Sequence, residues 1–99
     1  MPRTEIRLAQ SALTDLEALR DWYGEQDVPE VGDRLIADIF ARIADLRDHP
    51  EMGRMVPEFE QPALRELIEG PFRIVYRREP GLVRVVRVWR SERRFKLPD

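Results

Sequence analysis

The chain has 99 residues, of which 42% are hydrophobic and 36% charged, with a formal net charge of −2; a domain of this size buries only roughly 60–65% of its unfolded surface, which leaves a thin core and little room for a deep pocket. Cysteine is absent and His49 is the one histidine, so disulfides and thiolate metal sites are excluded and a multi-histidine metal centre is disfavoured; no cofactor and no metal are expected. Neither a signal-peptide core in MPRTEIRLAQSALTDL nor an apolar run approaching the ~18 residues of a membrane span is present, and the expectation is a single cytoplasmic domain over residues 1–99 with no membrane partner.

Thr4 to Leu8 alternates, with Ile6 and Leu8 pointing one way and Glu5 and Arg7 the other, the pattern of a short strand at a sheet's edge. Ser11 is a reasonable helix N-cap, and Ala12, Leu13, Leu16, Leu19, Trp22 and Tyr23 recur at helical spacing as far as Gly24. The spacing predicts a helix over about 12–23, with Asp15 and Glu17 in or near the first turn, where the helix dipole favours anions. Asp27-Val28-Pro29-Glu30 is a second start signal, because proline is tolerated in a first helical turn. Val31, Leu35, Ile36, Ile39, Phe40, Ile43 and Leu46 then form the strongest periodic stripe in the chain, a face for core packing or for a partner. His49-Pro50 ends the helix, since the residue before proline is pushed out of helical dihedrals. From Glu51 to Pro62 periodicity disappears, and the segment reads as an ordered loop that Met55 and Phe59 could pin to the core.

Residues 64–94 carry nine arginines and read as three successive antiparallel strands. Phe72, Ile74 and Tyr76 alternate with Arg73, Val75 and Arg77, so Arg73 and Arg77 share one face. Glu79-Pro80-Gly81-Leu82 supplies a turn in which glycine takes a positive φ. Val83 to Trp89 forms the next strand, and Leu64 to Ile68 precedes the hairpin through Gly70-Pro71. Charge changes sign where this sheet begins: residues 1–63 hold 7 basic and 14 acidic side chains, residues 64–99 hold 10 and 5. Such a division marks either a basic surface for an anionic partner or an ordinary solvated face. The fold expected is α+β of order β-α-α-β-β-β, a helical hairpin packed on a twisted, mainly antiparallel sheet.

The pieces HPEMGRMVPE, RELIEGPFRIVYR and VVRVWRSERR, in that order, resemble the second half of the RelE/ParE-type toxins of bacterial type II toxin-antitoxin systems, and the first half is similar as well. The resemblance, closest to the ParE-like branch, implies a plasmid-stabilisation-type toxin that inhibits DNA gyrase by protein contact. It also implies neutralisation by a ParD-like antitoxin from the neighbouring gene, in a higher-order toxin-antitoxin assembly. The alternatives it leaves are a RelE-like, metal-independent endoribonuclease acting on ribosome-bound mRNA, and a non-toxic toxin-like binding partner.

Arginine suits phosphate because its planar fork donates two parallel hydrogen bonds and stays charged. For contact with a target or partner the candidates are Arg65, Arg73, Arg77, Trp89, Arg90 and Arg93, with Arg73 and Arg90 the catalytic candidates should the protein be a ribonuclease. Pairing of Arg73 and Arg77 with Glu66 or Glu69 is the competing structural role. The resemblance associates RNA cleavage with an arginine of the RIVYR-like strand, lysines on the preceding strand and a tyrosine or histidine near the C-terminus, and of these the chain matches only the arginine, at Arg73. The preceding strand offers Arg65 and Glu66, the last strand has Arg90 in place of histidine, and the chain's only lysine is Lys96. Cleavage by 2′-hydroxyl attack also needs a proton acceptor and donor, which arginine does not supply. His49 is read as a helix C-terminal cap, and Trp89 as either a core residue or an exposed anchor.

Overall fold

The structure, a computed structural model, describes residues 3–90. Strand β1 (Glu5–Leu8) leads into helix α1 (Gln10–Glu25), a tight turn, helix α2 (Pro29–Ala44) and a 3-10 turn over Asp45–Arg47. Strands β2 (Arg54–Met55), β3 (Leu64–Glu69), β4 (Phe72–Glu79) and β5 (Leu82–Arg90) follow. The five strands form one sheet in the order β1-β5-β4-β3-β2. Strands β2 to β5 pair antiparallel in sequence order, and β1 joins β5 in parallel at the other edge. The expected α+β arrangement is therefore present, and the expected edge strand stands at the edge.

The two helices cover one face of the sheet. Ala12 and Leu16 of α1, Ile39 and Ile43 of α2 and Leu46 beyond it meet Leu67, Phe72, Ile74, Tyr76, Val83, Val85 and Val88 in one buried cluster. Ile39, Leu46, Ile74 and Tyr76 are wholly removed from solvent. Of the α2 stripe, Leu35 and Ile36 are partly buried against this core, whereas Phe40 turns outward. On the opposite face Val56, Leu64 and Val75 form a smaller cluster with Phe59 and Val86 around it.

Several local expectations are corrected. Helix α1 starts at Gln10, two residues earlier than Ser11 as N-cap predicts, with Ala9 as an N-cap that has no side-chain bond. The Ser11 hydroxyl instead donates to the Val86 carbonyl at 2.6 Å. Asp15 lies past the first turn and accepts from Arg87 Nε and Nη2, both at 2.8 Å, and from the Val88 amide at 2.9 Å. Both side chains serve β5 where the pairing of β4 and β5 slips between Val75 and Tyr76 and where β1, which stops at Leu8 opposite Val85, no longer supplies partners. Ser11 and Asp15, one helical turn apart, thus continue the missing edge and satisfy backbone groups that would otherwise be costly to bury.

Helix α2 begins at Pro29 with Val28 as N-cap and stops at Ala44, before His49-Pro50, giving way to the 3-10 turn. The segment after Pro50 contains the two-residue strand β2, which periodicity could not show. Met55 is 45% exposed, and Met52 and Val56 take the packing role instead. The Glu79–Leu82 turn forms as expected, with Gly81 at φ +69°.

Candidate target and partner surface

Arg73 leaves β4 on the face away from the helices, where a strand residue flanked by inward-facing Phe72 and Ile74 must point. Its Nη1 and Nη2 donate to the two oxygens of Glu58 at 2.8 and 2.9 Å, and its Nε donates to Glu66 Oε1 at 2.8 Å, with Nη2 also donating to Glu66. The second oxygen of Glu66 accepts from Arg54 Nε at 2.7 Å. The Glu66 side chain is wholly buried and that of Arg73 only 9% exposed. Two arginines and two carboxylates thus close on one another. The hydrogen bond from Arg73 holds the Glu58 carboxyl below the usual carboxylate range despite some desolvation, and Glu58 and Glu66 raise the Arg73 pKa further against the opposing effect of burial.

The pairing role for Arg73 is therefore present, with Glu66 as expected and with Glu58 as a partner that no spacing indicated. Arg77, on the same face, pairs with neither Glu66 nor Glu69; its Nη1 reaches Gln61 Oε1 at 3.4 Å. Arg65 points to the other face, as its register with Tyr76 requires, and donates to the Pro62 carbonyl at 2.7 Å.

Trp89 and Arg90 border a groove of about 580 Å³ between α1 and the end of β5, with Asp15, Ala18, Leu19 and Trp22 on the helix side and Phe72, Arg87 and Val88 completing the lining. The Arg87 guanidinium lies 4.1 Å from the Trp89 ring centroid, and that of Arg90 stands 5.7 Å over the Phe72 ring while Nη1 donates to the Tyr23 hydroxyl at 3.3 Å. Trp22 is 49% exposed and meets Tyr23 edge-on at 4.8 Å. Sequence reasoning placed Trp22 in the α1 core stripe. Leu16 is buried in the core, whereas Trp22, at the stripe's last turn, borders the groove instead. Arg93 lies outside the described residues. No group of three metal-ligating side chains occurs among the described residues, and His49 is an exposed residue whose backbone amide donates to Asp45 O at 3.1 Å.

Comparison with known proteins gives this arrangement a family. The family described as ParE toxin of type II toxin-antitoxin system, parDE, matches residues 6–95, and the chain belongs to it: a toxin of the RelE/ParE superfamily, of the ParE branch. Among solved structures, the chromosomal ParDE toxin-antitoxin system from P. aeruginosa contains a similar chain. It is 26% identical, the match covers 90% of this chain and 97% of that one, and the TM-score is 0.76. The toxin-antitoxin complex RelBE2 from Mycobacterium tuberculosis shares the fold at 21% identity, covering 92% of this chain and all of that one, with a TM-score of 0.62. None of the curated proteins matches.

Proposed function

We propose that this toxin inhibits DNA gyrase in the cytoplasm by protein contact and is held silent by a cognate antitoxin, a ParD-like product of the neighbouring gene. Membership of the ParE family supports the target. The observation that favours this reading over RNA cleavage is the state of Arg73, the one residue matching the nuclease pattern. Its fork is already occupied by Glu58 and Glu66, and releasing it toward a phosphate would break a buried ion pair and leave the wholly buried Glu66 carboxylate with Arg54 as its remaining cationic partner among the described residues, which costs stability. The antitoxin reading draws on the similarity to a chain of a ParDE system and on the groove between α1 and β5. That groove joins two tryptophans and aliphatic side chains to Arg90, a chemistry suited to an amphipathic acidic segment.

The deciding experiment uses purified protein. Inhibition of gyrase supercoiling with intact mRNA in a translation extract is the expected result. Ribosome-phased cuts with unaffected gyrase would overturn it in favour of the endoribonuclease, and inertness in both would favour a binding partner without toxicity.

A further inference from the structure

We infer that Arg7, Arg84 and Arg77 form a row that takes the phosphodiester backbone of duplex DNA; the choice of DNA as the ligand rests on the gyrase reading above. The row follows from strand register. Arg7 of β1 stands directly opposite Arg84 of β5, and Arg84 directly opposite Arg77 of β4. Ile6, Leu8, Val83, Val85 and Tyr76 belong to the core beneath the helices, so the alternation of each strand sends all three arginines to the other face, which the helices do not cover. Neighbouring strands lie about 4.8 Å apart, which makes a cationic row roughly 10 Å long. Like charges at directly opposed positions destabilise a sheet, and three arginines there make a costly arrangement for a face that needs only to be wet.

The pairing of these arginines leaves them open to exchange. Arg7 is held by a single oxygen of Glu5 at 3.0 and 3.2 Å. Arg84 donates through Nε to Glu79 at 3.1 Å. Among the described residues Arg77 has the neutral Gln61 amide oxygen as its side-chain partner, at 3.4 Å. The Arg7 and Arg84 side chains are 59% and 38% exposed, and their carboxylate partners are 58% and 35% exposed. Exposed pairs of this kind contribute little, so a phosphate can replace the carboxylate at small cost. Arg73, four residues from Arg77, shows the opposite arrangement, with a buried partner and a filled fork. A row roughly 10 Å long runs beside about six phosphate charges of a duplex, counting both strands. A toxin that acts on gyrase meets the enzyme on DNA, and the row gives it a second foothold there.

Fluorescence anisotropy of a labelled duplex of about 20 base pairs tests this without gyrase, with the full-length protein at about 50 and 200 mM salt. Three phosphate contacts predict a fall in affinity of about 40-fold between those salt concentrations, and Arg77→Ala alone should lower the salt slope by about one unit. The variant combining Arg7→Ala, Arg77→Ala and Arg84→Ala should lose binding at least about tenfold at low salt while melting no lower than the parent, since opposed like charges have been removed. A charge-matched control with Arg20→Ala, Arg34→Ala and Arg47→Ala should keep binding. Failure of the parent to bind, equal binding by the two triple variants, or displacement of the duplex by polyglutamate at equal charge would each overturn the inference. Gyrase inhibition on relaxed plasmid separates the two readings. A parent that inhibits gyrase but does not bind the duplex overturns the row alone, whereas one that binds through the row and leaves gyrase active overturns the gyrase reading alone.

Discussion

Glu58 grips both terminal nitrogens of Arg73 from a loop fifteen residues earlier in the chain, and this pair straps residues 56–62 across the open face of the sheet. The loop is also held by Val56, wholly buried, and Phe59, partly so, and by hydrogen bonds from Arg77 to Gln61 and from Arg65 to the Pro62 carbonyl, while Glu58 and Glu60 are exposed. The buried half of the network, Arg73 with Glu66, provides the fixed end, and the exposed carboxylate of Glu58 provides the movable one.

Arg73→Ala should therefore be a stability variant. Breaking a buried pair costs about 3–5 kcal/mol, a large part of a small domain's total of about 5–15 kcal/mol. For a domain of this size each kcal/mol lowers Tm by about 4–8 °C, so a fall of at least about 12 °C is expected by circular dichroism. Arg73→Met combined with Glu66→Leu removes both charges and should recover much of the loss, with toxicity retained at a temperature where the variant is folded. An unchanged Tm together with lost toxicity would assign Arg73 to the target instead.

Acid should loosen the strap. The folded-state pKa of Glu58 lies below its unfolded value, so its contribution is present at neutral pH and is lost as pH falls below the ordinary glutamate value of about 4.3 and through the lower folded one. Because its side chain is 40% exposed, the contribution is about 1 kcal/mol or less. Glu58→Gln should lower Tm by a few degrees at pH 7 and flatten the decline in Tm below pH ~4. A decline as steep as the parent's would locate the acid sensitivity elsewhere.

These two expectations show where the sequence was readable. Alternation in Phe72–Arg77 and the 3.6-residue stripe of α2 follow from repeated apolar positions, and they led directly to the strands, the core and the shared face of Arg73 and Arg77. Glu58 had no such signal. Its partner is chosen by the path of an aperiodic loop, and one surface glutamate in that loop looks like another. Ser11 and Asp15 were read as local helix features because capping is a local rule; their actual partners, Val86 and Val88, depend on where β1 stops and β5 continues. Trp89 and Arg90 were legible as candidates, but the groove they border with Trp22 is a product of how α1 lies on the sheet.

Gly53 should tolerate no side chain. Its amide donates to the Tyr76 hydroxyl at 2.9 Å, and that hydroxyl donates to the Pro50 carbonyl at 2.9 Å. A Cβ on Gly53 would stand 2.5 Å from the Tyr76 oxygen and 2.8 Å from the Glu66 carbonyl. Neither can retreat easily, as Tyr76 is wholly buried and the Glu66 backbone is part of the β2–β3 pairing. Gly53→Ala should cost about 1–3 kcal/mol in urea melts, as overpacking of a filled site does. Tyr76→Phe, which strands the buried Gly53 amide, should cost a similar ~1–3 kcal/mol. A near-neutral Gly53→Ala would mean that residues 50–53 are not held by Tyr76.

The antitoxin complex gives the last test, and it separates affinity from steering. Trp22 stands half exposed on the helix side of the groove, so Trp22→Ala should leave Tm within a few degrees of the parent. As an interface anchor its loss should weaken the complex by about 2 kcal/mol or more, roughly 30-fold, mainly through faster dissociation. The excess of basic residues after position 63 should act on the other rate: an acidic segment is drawn toward Arg90 and its neighbours, and association should slow as salt rises. Coexpression with the neighbouring gene product followed by stopped-flow binding at two ionic strengths reads both. A copurifying complex whose dissociation is unchanged by Trp22→Ala would move the antitoxin off this groove, most simply to the β3 edge beyond the two residues that β2 covers, where an added strand could pair. Association indifferent to salt would remove the basic surface as its guide, and absence of any complex would count against the antitoxin reading itself.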